Sequence, residues 1–365
     1  MREKNNNILE SVLRGEIISH EDALSIYQQA DLGDLMAVAN ELKNKLHPDN
    51  IVTWQIDRNV NITNVCSTGC KFCNFHCKPH QKEQAFVTTI EEYKTKIELL
   101  EKLGGDQLLL QGGMNPELTI EWYEELFTSL KSLYPNLKLH ALGAPEVAFL
   151  ADKANLSDAE TLARLVKAGL ESLPGAGAEI LNERVRKIIA PAKCSSERWL
   201  SIMHEAHKMG LLTSATMMYG HVETDEERIE HLIKIRDLQS EKTEQQIGFK
   251  AFIPWAFQSK GTKLEHEGWA KENNTTEYLR LIAISRIVLH NVENIQASWL
   301  TMGVDAGMMA LHAGANDMGS IMIEENVVSA AGAQNKLLTP QNMQESIKNA
   351  GFIPRRRNQA YELVD

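Results

Sequence analysis

From Ile51 to Asp317 the chain alternates short apolar runs with longer stretches of helical period, eight times over. An apolar run of four to eight residues closed by a turn signal suits a strand buried on both faces and is too short for a helix. Strands are expected at Ile51–Ile56, Gln107–Gln111, Leu137–Ala141, Leu170–Leu173, Leu212–Met218, Ile247–Ile253, Asn294–Trp299 and near Ala315–Asp317. Helices fill the intervals. Thr89-Ile90-Glu91-Glu92, Ser157-Asp158-Ala159-Glu160 and Thr224-Asp225-Glu226-Glu227 have the form of capping boxes, in which the first hydroxyl and the last carboxylate each satisfy a free backbone N–H. Further helices are expected over Ile120–Leu133, Ser196–Met209, Tyr278–His290 and Ala306–Ala313. Eight strand-helix units in series predict an α/β fold, a (βα)8 TIM-type barrel. The competing arrangement is an open six-stranded partial barrel with the last two units outside. The unchanged period of those last units favours closure.

Residues 1–50 read as an N-terminal helical extension capping one barrel end, with helices at Ile8–Leu13, His20–Gln29 and Asp34–Leu46. The barrel is placed at 51–335, and 336–365 as a C-terminal helix and tail packed on it. The long connections at 259–275 and 318–339 have the length of lids or binding surfaces. A formal net charge of −11 argues against nucleic acid as the main partner. Met1–Asn7 carries no apolar segment and no run reaches membrane-spanning length, so no membrane partner and a cytoplasmic location are expected.

The loop after the first strand holds the most specific chemistry. Cys66, Cys70 and Cys73 are spaced C-x3-C-x2-C, and the chain has only two other cysteines, Cys77 and Cys194. Three close thiolates can hold three corners of a four-iron cluster and leave the fourth iron open to a small molecule. A structural zinc site wants four protein ligands, commonly two separated C-x2-C pairs, and no second pair follows. Cys77, His76 and His80 are the spare donors nearby, and Cys77 is read as a neighbour of the site rather than a ligand. An odd cysteine number in a long chain also speaks against a disulfide framework.

In a parallel barrel, functional groups gather at the carboxyl ends of the strands. Gln111-Gly112-Gly113-Met114 follows the second strand there, and Ser172 to Glu179 follows the fourth. His140, His221, Glu223, Trp255, Trp299 and Asp317 stand at other strand ends, with Tyr219 and Phe257 completing an expected aromatic mouth. No P-loop, metalloprotease H-E-x-x-H or helix-opening Gly-rich fingerprint is present.

The cysteine loop, with the aromatic Phe72 before its last cysteine, resembles that of the radical S-adenosylmethionine enzymes. The likeness runs through almost the whole chain and is strongest to the family that cyclises dehypoxanthine futalosine in menaquinone biosynthesis. Met217 to Glu223, Ala297-Ser298-Trp299 and Glu324 to Val328 carry that finer likeness; Asn74-Phe75-His76-Cys77 departs from it by an extra thiol. The resemblance implies a [4Fe-4S] cluster on Cys66, Cys70 and Cys73, and S-adenosyl-L-methionine beside Phe72. It implies that Gln111, Gly112 and Gly113 bind the amino group, Glu179 the ribose or amino end, and Arg198 the carboxylate. It also implies a low-potential electron donor and a substrate, dehypoxanthine futalosine. A ribose hydrogen, at C4′, would be abstracted, and the ribose carbon would then bond the benzoate ring. His140, His221, Glu223 and Asp317 remain open as the base that takes the ring proton. The alternatives are a sister enzyme (aminofutalosine synthase or a deazaflavin-forming synthase subunit) and a non-catalytic iron-sulfur electron carrier. A carrier needs neither a large barrel nor a Gly-Gly turn.

Overall fold

The computed structural model describes residues 2–271, 274–333 and 338–364. The expected boundary at 335/336 lies outside the described residues. Ten strands are present among the described residues: β1 (Ile51–Gln55), β2 (Asp57–Asn61), β3 (Gln107–Gln111), β4 (Lys138–Ala141), β5 (Ser172–Leu173), β6 (Leu212–Tyr219), β7 (Gly248–Ala256), β8 (Asn294–Ile295), β9 (Asp317–Ser320) and β10 (Ile353–Arg356).

Strands β2 to β8 pair side by side in chain order, all parallel. Closure runs through β9. Ala297 N–H donates to Asp317 O at 2.8 Å and Asn316 N–H to Ile295 O at 3.0 Å on the β8 side. On the β1 side Thr53 N–H donates to Asn316 O at 3.1 Å and Ile321 N–H to Gln55 O at 3.2 Å. The first expected strand is therefore two segments meeting at Ile56: β1 pairs with β9 and β10, whereas β2 pairs with β3. Counted as one bent strand they complete an eight-position barrel, and the open arrangement is set aside.

Differences at strand ends have local causes. β8 stops at Ile295 because Trp299–Met302 is already helical, held where Ser298 N–H meets Tyr278 Oη at 2.7 Å. β7 runs past Ile253 to Ala256 because β6 pairs with it along its whole length. Among the helices that were not expected, two are longer than one turn. Ala144–Ala154 starts at a Gly143-Ala144-Pro145 turn, and Glu183–Ile189 is capped by Asn182.

Outward strand residues Val60, Leu108, Leu110 and Leu139 are fully buried under the helices, which present stripes such as Tyr93, Ile97 and Leu100. The inward residues alternate with these and are largely polar. Asp57, Asn59, Asn61, Gln111 and His140 face the interior beside Leu109. A barrel interior is ordinarily filled by branched apolar side chains; here it holds a cavity.

The N-terminal helices lie on the barrel flank rather than over an end, which corrects the expected cap. Helix Leu32–Leu46 packs along Thr275–Val288, and His20–Gln29 along Asp225–Ser240. Arg280 Nη1 bonds the carbonyls of Tyr27 and Ala30, each at 2.9 Å. The C-terminal helix Pro340–Asn349 leads into β10, and the residues after β10 enter the barrel from the amino ends of its strands.

Candidate active site

A cavity of about 420 Å³ runs from the cysteine loop into the barrel interior. Cys66, Cys70 and Cys73 line it, whereas Cys77 and Cys194 do not. Cys77 contributes its backbone: Cys66 N–H donates to Cys77 O, and Cys77 N–H to Asn64 O, both at 2.9 Å. That pair clips the loop shut. The thiols are met by polar groups. Thr68 Oγ1 lies 3.0 Å from Cys66 Sγ and 3.6 Å from Cys70 Sγ, and Met114 N–H points at Cys66 Sγ across 3.4 Å. Burial raises the Cys70 thiol, against the lowering pull of Lys193 and Thr68, and burial likewise raises Cys73. Among the described residues no three His, Cys, Asp or Glu side chains converge on a point suited to one ion. A cubane spreads its thiolates over three irons, so three sulfurs facing an open cavity fit that group.

The Gly-Gly turn is built against this loop. A Cβ on Gly113 would stand 2.1 Å from Val65 O and 2.9 Å from Cys66 Cβ, and one on Gly112 would stand 3.0 Å from Thr63 N. Neither glycine has positive φ, so the demand is for closeness between two loops. Gly113 N–H donates to Thr63 O at 2.8 Å, and Ser67 N–H to Met114 O at 3.1 Å. Gln111, Gly112 and Gly113 all line the cavity.

Among the lining residues that escaped the sequence reading are Glu146 and Lys193. Glu146, in the first turn of Ala144–Ala154, reaches back so that Oε1 accepts from Gly112 N–H at 3.1 Å. Burial pushes its carboxyl up to about 7 against the lowering pull of that N–H and of Lys193. Lys193 is the second: Nζ lies 2.9 Å from Glu179 Oε1 and 5.2 Å from the Phe72 ring centre. Burial disfavours the Lys193 charge, but Glu179 outweighs it and the ammonium is held more firmly than usual. Glu179 is buried, lines the cavity as expected and sits at φ +45°. Phe72 lines it too.

Arg198 does not join them. It projects from Ser196–Lys208 to Asp152 (2.7 and 2.8 Å) and Asp158 (2.8 and 3.1 Å), tying three outer helices together, and is absent from the cavity wall.

Of the four candidate bases only His140 lines the cavity. Its Nδ1 is 2.7 Å from Ser172 Oγ, and Gln359 Nε2 lies 3.3 Å from Nε2. Burial, then Arg357, lowers it to about 3, so the imidazole is neutral. His221 and Glu223 turn away into the protein. Glu223 accepts from the N–H groups of Gly220 (2.7 Å) and His221 (2.9 Å) and pairs with Arg228 at 2.6 Å. Burial alone would raise Glu223; His221 and Arg228 hold it at about 2. Asp317 is likewise occupied, receiving Arg357 at 2.6 and 3.0 Å and Thr53 Oγ1 at 2.6 Å. Trp255 and Trp299 line the cavity, whereas Tyr219 and Phe257 are buried behind it. From the long connection after β9, Glu325, Val327 and Val328 close its side.

Residues 60–235 match the Radical SAM superfamily, and residues 246–365 match the CofH/MqnC C-terminal region. A cyclic dehypoxanthine futalosine synthase of Streptomyces coelicolor is 43% identical over 97% of this chain and 88% of that protein. The chain belongs to the radical SAM superfamily, in its CofH/MqnC branch. A synthase of the same name from Halalkalibacterium halodurans is 42% identical over 98% of this radical SAM chain and 95% of that protein. A 5-amino-6-(D-ribitylamino)uracil–L-tyrosine 4-hydroxyphenyl transferase of Methanosarcina mazei is 38% identical over 98% and 92%. Among solved structures, methylornithine synthase superposes with a TM-score of 0.74 at 18% identity, covering 97% of this chain and 98% of that one. At that identity the likeness speaks for the radical SAM fold alone. Membership implies a [4Fe-4S] cluster and S-adenosylmethionine as the general cofactors of the superfamily. No helix among the described residues is long and apolar enough to cross a membrane.

Proposed function

We propose that this radical SAM protein cyclises dehypoxanthine futalosine to cyclic dehypoxanthine futalosine, a step of menaquinone biosynthesis. The near-full-length identity to two synthases of that name supports the reading. The observation that carries it is the cavity: three thiols at one end open into an interior walled by Trp255, Trp299, Ile253 and Leu109, suited to an aromatic substrate.

Cys66, Cys70 and Cys73 would hold the cluster, and Phe72, Gln111, Gly112, Gly113, Glu146, Glu179 and Lys193 would surround S-adenosylmethionine. Bound together and reduced by a low-potential donor, the two groups supply the radical that removes a ribose hydrogen. The protein's part is placement. Glu179 accepts hydroxyl or ammonium donors, and Lys193 neutralises it and can turn toward a carboxylate. The apolar wall excludes water from a reactive carbon and holds ribose and benzoate together, making the new bond an intramolecular event. As aromaticity returns the ring loses a proton and one electron; His140, neutral and on the wall, is placed to pass the proton on to solvent, and the electron would return to the oxidised cluster.

The test is anaerobic reconstitution, reduction, and mass analysis of products from dehypoxanthine futalosine. A product lacking two hydrogens, with ring deuterium lost to water and C4′ deuterium recovered in 5′-deoxyadenosine, is expected. Turnover only with tyrosine and a ribitylaminouracil would overturn the reading in favour of the transferase reaction.

A further inference from the structure

The chain that leaves the cysteine loop does not run straight to the next helix. Residues 74–88 fold back over 62–65 and are pinned there, Cys77 beside Val65 and Val87 beside Thr63. Asn64 Nδ2 donates to Gln84 O at 2.8 Å, Phe86 N–H to Asn64 Oδ1 at 2.9 Å, and Thr63 Oγ1 to Phe86 O at 2.6 Å. The tip so held is apolar and open to solvent: Phe86 is 40% exposed and Val87 36%. One exposed apolar side chain is ordinary. Here two stand in succession on a backbone fixed from both sides. Beneath them Phe75, two residues after Cys73, lines the cavity and meets Phe86 edge to face, ring centres 6.1 Å apart. At this point two rings separate the cavity that holds the thiols from solvent.

Charge near the tip runs against that of the molecule. The formal net charge of the chain is −11. Lys78 and Lys82 stand on the loop itself, and Lys260 is tied to it through its carbonyl, which accepts from Asn74 Nδ2 at 2.9 Å. All three are exposed, and none makes an ion pair among the described residues. Glu83 is the one acid between Cys66 and Thr88. Across the rim Glu265 is taken up by Gly261 N–H at 2.6 Å, and Glu267 by Lys71 at 2.8 Å.

We propose that this tip is the docking surface for a small acidic ferredoxin that supplies the protein's electron. The inference depends on the cluster expected at Cys66, Cys70 and Cys73 and not on which substrate is turned over. One electron leaves the reduced ferredoxin and enters that oxidised cluster, with no bond made or broken. A basic rim steers an acidic partner to the surface, and a small apolar centre gives a contact brief enough for repeated delivery. Ferredoxins reach potentials of about −400 mV, the low range such a donor needs.

The test measures binding of oxidised plant-type ferredoxin by calorimetry, on full-length protein before and after iron loading. Wild type should bind several-fold more weakly as salt rises from about 50 to about 200 mM. Lys78→Glu/Lys82→Glu should bind about tenfold more weakly than wild type at the lower salt, with an unchanged Tm. Phe86→Ser should also weaken binding and keep the salt dependence. In 5′-deoxyadenosine formation the charge variant should fall by a similar factor with limiting reduced ferredoxin, yet stay within twofold of wild type with dithionite. Ferredoxin that does not bind wild type, equal binding to variant and wild type, or equal losses with both reductants would overturn the inference. A dimer of the chain that the charge variant splits would give the surface to a second copy and overturn it too. Should the double variant not fold, Lys82→Ala and the wild-type salt series decide. A protein that cleaves S-adenosylmethionine but leaves dehypoxanthine futalosine unchanged overturns the functional reading and not this one.

Discussion

Lys193 donates to Glu179 across 2.9 Å at the cavity end that carries the three thiols. The two side chains are 14% and 6% exposed, so each charge depends on the other. Removing one partner of a buried pair leaves an uncompensated charge at a cost on the order of 3 kcal/mol. Lys193→Met should therefore lower both S-adenosylmethionine affinity and Tm, and the double variant Lys193→Met/Glu179→Gln should regain much of the Tm without the affinity. Equilibrium dialysis with labelled cofactor and a melting series check this. Recovery of affinity in the double variant would remove both residues from the cofactor's surroundings.

Cys66→Ala, Cys70→Ala and Cys73→Ala should each abolish iron retention and the absorbance near 400 nm after reconstitution. Cys77→Ala should keep about four irons per chain, because the clip on the loop uses the Cys77 backbone and not its thiol. Iron analysis of the four variants separates the two cases.

Gly113→Ala should act on the cluster and not on the barrel. Its Cβ would meet the Val65 carbonyl at 2.1 Å, a backbone group that cannot swing aside, and the cysteine loop must shift. Iron content should fall several-fold while the far-ultraviolet circular dichroism stays native. Full iron with full activity would show the two loops to be less tightly coupled than the contact implies.

Arg198→Ala should leave cofactor affinity and turnover within twofold of wild type. Its bonds go to Asp152 and Asp158 on neighbouring helices, and partly exposed pairs of this kind contribute about 1 kcal/mol or less. A small drop in Tm is the expected reading. A tenfold loss of S-adenosylmethionine affinity would return Arg198 to the role its sequence position suggested.

His140 gives the protein an acid-side instability with a defined sign. Its pKa is 6.5 in the unfolded reference and about 3 in the fold. Between those values the unfolded chain binds a proton that the native chain refuses, so stability falls as pH drops from about 6.5 toward 3. At pH 5 the loss from this one group is about 2 kcal/mol. His231, also lowered to about 3 by burial, adds a similar dependence. His140→Gln should reduce the difference in urea midpoint between pH 7 and pH 5, and should slow loss of ring deuterium more than formation of 5′-deoxyadenosine. An unchanged isotope balance would assign the proton to another acceptor.

The legible parts were those whose meaning is carried by spacing. Cys66, Cys70 and Cys73 announce themselves in eight residues, and a capping box such as Thr224 to Glu227 appears as read, with Thr224 accepting from Glu227 N–H. The break at Ile56 was hidden because Ile51 to Asn61 has no Gly or Pro; only its partners, β9 and β10 for one half and β3 for the other, divide it. Glu146 was invisible for a similar reason. Its partner Gly112 lies 34 residues away, and a glutamate in a first helical turn ordinarily serves the helix dipole. His221 and Glu223 were misplaced because strand-end position says which end of the barrel a residue occupies and not which way it turns. Gly220, at φ +93°, reverses the chain so that Glu223 caps the turn itself. Arg198 followed the same logic: a first-turn arginine suits a ligand carboxylate and two neighbouring aspartates equally well.

The pairing of β10 with β1 sets the timing of the molecule's completion. Trp54 and Arg356 are neighbours across the sheet and about 300 residues apart in the chain. Bringing such distant segments together costs about 5 kcal/mol of chain entropy, and contacts of this separation form late. During synthesis the edge of β1 waits, unpaired, through the making of every other strand described. A waiting strand edge is a template for the wrong partner, and in this chain that edge is Ile51-Val52-Thr53-Trp54. The growing chain is thus most exposed to misassembly at its amino-terminal strand, and a free peptide of residues 351–361 supplied in trans should protect it.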